Sequence, residues 1–181
     1  MSHRVALSDP RVARTRERLR EALIALTLQR GWDDVSVQSV CARAGVGRST
    51  FYVHFADRED LLLASFQSGH IVPRVQRSEP LAFVQPLVEH VAAQRALYDK
   101  LVGTSCERVV QRRFTSVVAE IIERDLAAHC AATLQRTAAA RYLTGAFRET
   151  LTHWLAQAKG PSDAELVQML KQFSRPVFER L

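Results

Sequence analysis

Residues 45–55 read GVGRSTFYVHF. They place an arginine, two hydroxyls, a phenol and an imidazole within about two or three helical turns. Taken as a helix, residues 48–55 set Phe51 and Phe55 four apart, on one face. The two rings are suited to anchor the segment to a small core. Arg48, Ser49, Tyr52 and Val53 fall away from that face or on its flank, with Thr50 and His54 on the other side. A helix held by two phenylalanines and presenting these donors fits a DNA major groove. There the side chains of its first turns reach base edges and flanking donors reach phosphates. The competing reading makes Tyr52 and His54 satisfied polar residues at the edge of a core.

Other chemistry finds little support. The sequence has no Ser-His-Asp spacing, no phosphate-binding loop, no metal motif and no paired carboxylates in a glycine-rich context. His70, His90, His129 and His153 are scattered. Cys41, Cys106 and Cys130 are odd in number and lack metal-ligand spacing. This points to reduced thiols and a cytoplasmic protein. Cys41 reads as a small packing residue, and a redox role for Cys106 or Cys130 needs exposure and a basic neighbour, of which Arg108 is the one hint. No enzyme activity, cofactor or metal is expected.

The elements that must hold residues 48–55 can be read around them. Asp9 suits a helix N-cap and Pro10 the first helical position. Leu19, Leu23 and Leu26 follow at helical spacing, and Gly31 supplies a stop. Ser36 caps a short helix, VQSVCARA. In the turn Gly45-Val46-Gly47, glycine tolerates φ > 0 and Val46 plugs the gap between helices. Asp57 caps a further helix, with Asp60 three residues on and Leu61, Leu62 and Phe66 as its apolar side. This is a helix-turn-helix arrangement.

The rest of the chain is also helical in character. Pro73, Pro80 and Pro86 bracket a broken region. One helix is expected from about Pro86 to Val102, another from about Glu107 to Cys130, and a third over about 133–158. Gly160-Pro161 ends the third, and Ser162 with Glu165 forms a capping box for the last. The 181 residues carry a net charge of +6, a pI near 9.8, few glycines and prolines, and more Arg than Lys. The balance favours helix and, weakly, a polyanionic partner. No apolar run approaches a membrane span and MSHRVALSDP has no signal-peptide core.

The segment VSVQSVCARAGVGRSTFYVHFADREDLL closely resembles the DNA-binding signature of TetR/AcrR-family repressors. The matching positions are Ser36, Ala44, Gly45, Val46, Thr50, Phe51, Tyr52, His54, Phe55, Arg58, Leu61 and Leu62. The family usually has Lys at the position of Arg58 and Ala at that of Cys41. The likeness covers roughly residues 11–66 and is specific; beyond them only general helical features agree. It implies an all-α protein with an N-terminal helix-turn-helix head (1–58) and a helical effector-binding and dimerisation domain (59–181). It makes Gln38, Arg48, Ser49 and Tyr52 base readers. Ser36, Thr50, His54 and Arg58 become phosphate contacts, with Gly47 in the same DNA-binding set. Arg4 and Arg11 could reach the backbone or minor groove, while most arginines of the first helix read as a solvated face.

Phe83, Leu87, Tyr98, Phe114, Val118 and Tyr142 are candidate effector-lining residues and are equally suited to core. Arg112, Arg113 and Arg141 would instead suit an anion. The stripe Leu143, Phe147, Leu151, Leu155 with Trp154, and the stripe Leu166, Leu170, Phe173, Val177, read as core on periodicity. The family resemblance moves them to a four-helix dimer seam. The implied function is a homodimeric repressor on a double-stranded DNA operator, released by a small effector, with the helix from Asp57 joining head to pocket. The alternative is an effector-independent, nucleoid-type DNA-binding protein of the same fold.

Overall fold

The computed structural model describes residues 10–65, 79–131 and 134–181. Arg4, Asp9, Phe66, His70 and Pro73 lie outside the described residues. Every regular element within them is a helix: α1 Pro10–Arg30, α2 Val37–Ala44, α3 Arg48–His54, α4 Arg58–Ala64, α5 Val84–Ala93, α6 Arg95–Leu101, α7 Glu107–His129, α8 Leu134–Ala156 and α9 Asp163–Glu179. No described helix is long and apolar enough to cross a membrane.

The chain forms two compact units. The first runs to Ser65 and takes in Lys100–Glu107. In it α1 packs on α2 and on α4. The inner stripe of α1, Leu19, Ala22, Leu23 and Leu26, is buried. Gly31 ends the helix at φ 84°, its N–H on the Thr27 carbonyl at 2.9 Å. The unit continues past residue 58 because Leu61 and Leu62 of α4 are core residues. Residues 100–107 join it through buried Leu101 and Cys106, and the Ser105 hydroxyl donates to Asp33 Oδ1 at 3.2 Å.

The second unit holds the larger core, built from α5, α7, α8 and α9. Phe83 meets Phe147 at 5.6 Å between ring centres. Ahead of α5, Leu81 is buried at φ 65°, an uncommon conformation for a residue with a Cβ. Its N–H donates to Asp125 Oδ2 at 2.9 Å. The single helix expected from Pro86 to Val102 is two. α5 starts two residues earlier, with Pro86 in its first turn where a missing N–H is harmless. It stops at Gln94, whose φ −97° and ψ 3° leave the helical region. The Ser162–Glu165 capping box of α9 is present, and its hydrogen bonds hold the Glu165 carboxyl below the ordinary range.

Candidate nucleic-acid interface

The turn between α2 and α3 is made by Gly45. At φ 62° it donates to the Ala42 carbonyl at 3.3 Å, and Val46 donates to the Cys41 carbonyl at 3.0 Å. A Cβ at Gly45 would also stand 2.8 Å from Arg18 Nη2, the tip of a flexible side chain that can move aside, so the preference for glycine comes from the left-handed φ. Gly47 takes φ −68°, open to any residue, and serves as N-cap of α3. The left-handed requirement expected of the turn therefore rests on Gly45 alone.

α3 is anchored by Phe51, which is 0% exposed, while Phe55 at its C-cap is also buried. Burying such a ring contributes roughly 1.5–3 kcal/mol. Arg48, Ser49 and Thr50 are exposed, Tyr52 is 52% exposed and Val53 78%. His54 is half-buried beside Phe55. Gln38 and Ser36 are exposed on and before α2. Ser36 is also the N-cap: its Oγ accepts from Ser39 N–H and its own N–H donates to Ser39 Oγ, both at 3.1 Å.

Val53 was not among the expected DNA contacts, yet its side chain is exposed. It follows Ser49 by one turn, as Tyr52 follows Arg48, so the four form one exposed strip. Val53 is 78% exposed against 52% for Tyr52, an apolar side chain with no place in the core. Thymine's methyl group is its natural counterpart in a major groove.

Arg58 is placed differently from the phosphate contact expected of it. Its Nη1 donates to the Trp32 carbonyl at 2.8 Å and to the Val35 carbonyl, and its Cζ stands 4.5 Å from the Trp32 ring centre. Arg16, on a helix read as a solvated face, donates from Nη1 to the His54 carbonyl at 3.2 Å and lies 4.4 Å from the centre of the Phe55 ring. Asp57 caps α4 by accepting from Asp60 N–H at 2.8 Å. Burial pushes the Cys41 thiol up, against the pull of Arg48.

In the second unit, Phe83, Leu87 and Val118 are buried in the core, with Tyr98 and Phe114 packed against it. Tyr142 is 66% exposed. Leu143, Phe147, Leu151, Trp154, Leu155, Leu166 and Leu170 are buried within this one chain, and Val177 packs on them. Their side chains are occupied in the core without a partner copy. Phe173, 67% exposed, and Met169 are what α9 leaves open. A cleft of about 410 Å³ lies where α8 turns toward α9, lined by Arg95, Asp99, Trp154 and Asp163 among others. Arg95 is committed there: its Nη1 donates to the carbonyls of Trp154, Leu155 and Gln157, and its Cζ stands 4.5 Å from the Trp154 ring centre.

A two-helix unit with a left-handed glycine turn, a short second helix pinned by aromatic residues and a strip of donors facing out defines a helix-turn-helix DNA-binding head on an all-α protein. Residues 19–65 match the family described as bacterial regulatory proteins, tetR family. That match covers the head alone, and the head is a tetR-family helix-turn-helix domain. Solved structures share the fold across nearly the whole chain. A TetR transcriptional regulator from Streptococcus agalactiae 2603V is 21% identical, with TM-score 0.65 over 91% of this chain and 95% of that one. The dihydroxyacetone kinase operon activator DhaS is 16% identical, with TM-score 0.69 over 92% and 97%. NalD, the secondary repressor of the MexAB-OprM multidrug efflux pump in Pseudomonas aeruginosa, is 20% identical, with TM-score 0.58 over 92% and 96%. Among curated proteins no sequence relative matches the chain.

Proposed function

We propose that this protein is a cytoplasmic, homodimeric repressor that reads a two-fold operator with α3 and is released by a small effector. One observation carries the DNA-reading part: a fully buried Phe51 adjoins Tyr52 and Val53, both mostly exposed, on a helix whose first turn is Arg48 and Ser49. Fixing a polar strip on a rigid anchor keeps its ordering cost low on binding. Arg48, Ser49, Tyr52 and Gln38 are the base readers in this reading, Val53 joins them as a thymine contact, and Thr50, His54 and the Ser36 hydroxyl face phosphates. Arg48 pairing with guanine O6 and N7 would contribute roughly 1–3 kcal/mol of discrimination. A homodimer doubles the site, and its half-sites then lie about one helical turn or a multiple apart.

An effector acts in this scheme only as far as its affinity differs between the DNA-competent and DNA-incompetent states. The burial of Phe83, Leu87 and Val118 in a continuous core favours a second reading, a DNA-binding protein of this fold that needs no effector. Fluorescence anisotropy tests the main reading. The protein is titrated at fixed salt onto DNA immediately upstream of its own gene and onto a scrambled duplex, with Tyr52→Ala as control. Tight binding to the upstream duplex alone, lost in the variant, supports an operator-specific regulator. Equal binding to both duplexes at every salt concentration, also after selection from random DNA, would remove it.

A further inference from the structure

We propose that Arg58, with Arg16 as its counterpart, is a positioning residue that sets the pose of the reading helix and does not touch DNA. The inference rests on the DNA-reading role of α3 given above. Arg58 opens α4, and Val35 immediately precedes Ser36, the N-cap of α2. Its Nη1 bonds to the carbonyls of Trp32 and Val35, inside the connection between α1 and α2, and so ties the start of α4 to the start of α2. Trp32, 4.5 Å beneath the guanidinium carbon, is fully buried and cannot give way. α3 lies in sequence between these two tied points.

Arg16 acts at the other end. It reaches from α1 to the His54 carbonyl, in the last turn of α3, with its guanidinium carbon 4.4 Å from the centre of the buried Phe55 ring. Each clasp uses the same three features: an aromatic ring buried in the head, a guanidinium over it, and at least one main-chain carbonyl that accepts from it. Only arginine lays a planar cation on the ring while a terminal nitrogen at its edge donates to the carbonyls; a lysine ammonium keeps the charge and loses that planar geometry. This makes charge and shape separable. A phosphate contact needs the charge, whereas a clasp needs the planar guanidinium.

The experiment compares wild type, Arg58→Lys and Arg58→Met on a duplex selected by the wild type from random DNA, across a series of salt concentrations. Trp32 emission is read without DNA in a Trp154→Phe background. Both variants are expected to bind roughly tenfold or more weakly, as when a charged donor is taken from two carbonyls. The slope of log affinity against log salt stays at the wild-type value, and Arg58→Lys shifts the Trp32 emission. The proposal is overturned if Arg58→Lys binds as wild type while Arg58→Met loses about 0.9 from the slope, the signature of one phosphate contact. It is also overturned if both variants bind as wild type, or if Trp32 emission is unmoved by Arg58→Lys. Should circular dichroism find the Arg58 variants unfolded, Arg16→Lys and Arg16→Met are put through the same binding series, with the same slope criterion deciding. A wild type that selects no sequence would remove the DNA-reading role itself, an outcome visible before any variant is made.

Discussion

The Tyr52 ring meets the Phe51 ring edge to face, with centres 5.4 Å apart and planes at 83°. One ring is sealed in the core and the next residue's ring stands half in solvent. The buried ring thus fixes the direction of the exposed one, and the phenol hydroxyl is held at the helix surface at little further entropic cost.

Separating these two rings by mutation separates stability from recognition. Phe51→Ala removes a fully buried ring and should cost about 3–5 kcal/mol of folding stability. Tyr52→Ala should change stability by no more than about 0.5–1 kcal/mol, the lost edge-to-face contact included. The same change should weaken binding to the selected duplex by about 1–3 kcal/mol, and Tyr52→Phe should recover the part that the ring supplies. Urea titration and anisotropy on the same samples measure both. Wild-type affinity in Tyr52→Ala would take Tyr52 out of the contact set.

Dimerisation should depend on what α9 leaves exposed. Phe173→Glu combined with Met169→Glu should yield a folded monomer in sedimentation velocity, because neither side chain is buried in the single chain. Leu151→Glu or Leu170→Glu places a carboxylate in the core and should unfold the second unit. If the Phe173/Met169 variant remains a dimer, the interface lies on another face.

Asp125 supplies a pH dependence whose sign is defined. Burial raises its carboxyl above the ordinary 3.8, against the opposing effects of the Leu81 N–H and His129. The folded protein therefore holds this proton more tightly than the unfolded chain. The stability tied to it is fully present below the unfolded value and is lost as pH rises through the higher folded value. Asp125→Asn removes that loss and keeps an oxygen for the Leu81 N–H. With His129→Gln in both proteins, the unfolding free energy of the Asn variant minus that of the Asp protein should increase from about pH 4 upward. A difference that does not vary with pH would mean that Asp125 titrates at its ordinary value.

The thiols should be inert in the folded protein. Cys41 and Cys106 are buried and Cys130 is half-buried. Burial pushes all three upward, although the Thr104 hydroxyl bond pulls Cys106 the other way and Arg136 pulls on Cys130. Thiolate is the reacting form, so labelling by a disulfide reagent at neutral pH should be slow at Cys130 and slower still at Cys41 and Cys106 until denaturant is added. Rapid native labelling of Cys106 would show that its segment, residues 100–107, opens readily.

Much of the head was legible in the sequence because its signals are local. Helix caps, a left-handed glycine and a four-residue aromatic spacing act within one or two turns, and Ser36, Gly45, Asp57, Phe51 and Phe55 do what their types predict. Arg58 and Arg16 were not legible. A guanidinium's partner is set by which carbonyls and rings lie within its reach, and those come from segments 23 and 38 residues away. The stripes of α8 and α9 read as core on their period, and in this chain they pack into the core; the period alone says that a face is buried, not whether a second copy also meets it.

Local pattern was enough for the helical fold class, the helix-turn-helix and the exposed strip Arg48, Ser49, Tyr52, because each follows from the period of a helix and the chemistry of its ends. Where the long side chains place their hydrogen bonds depended on the folded chain. It set Arg58 on Trp32 and Arg16 on Phe55, drew residues 100–107 into the head, and closed the leucine stripe into one chain's core. These outcomes depend on distances between segments far apart in the chain, and no local pattern encodes them.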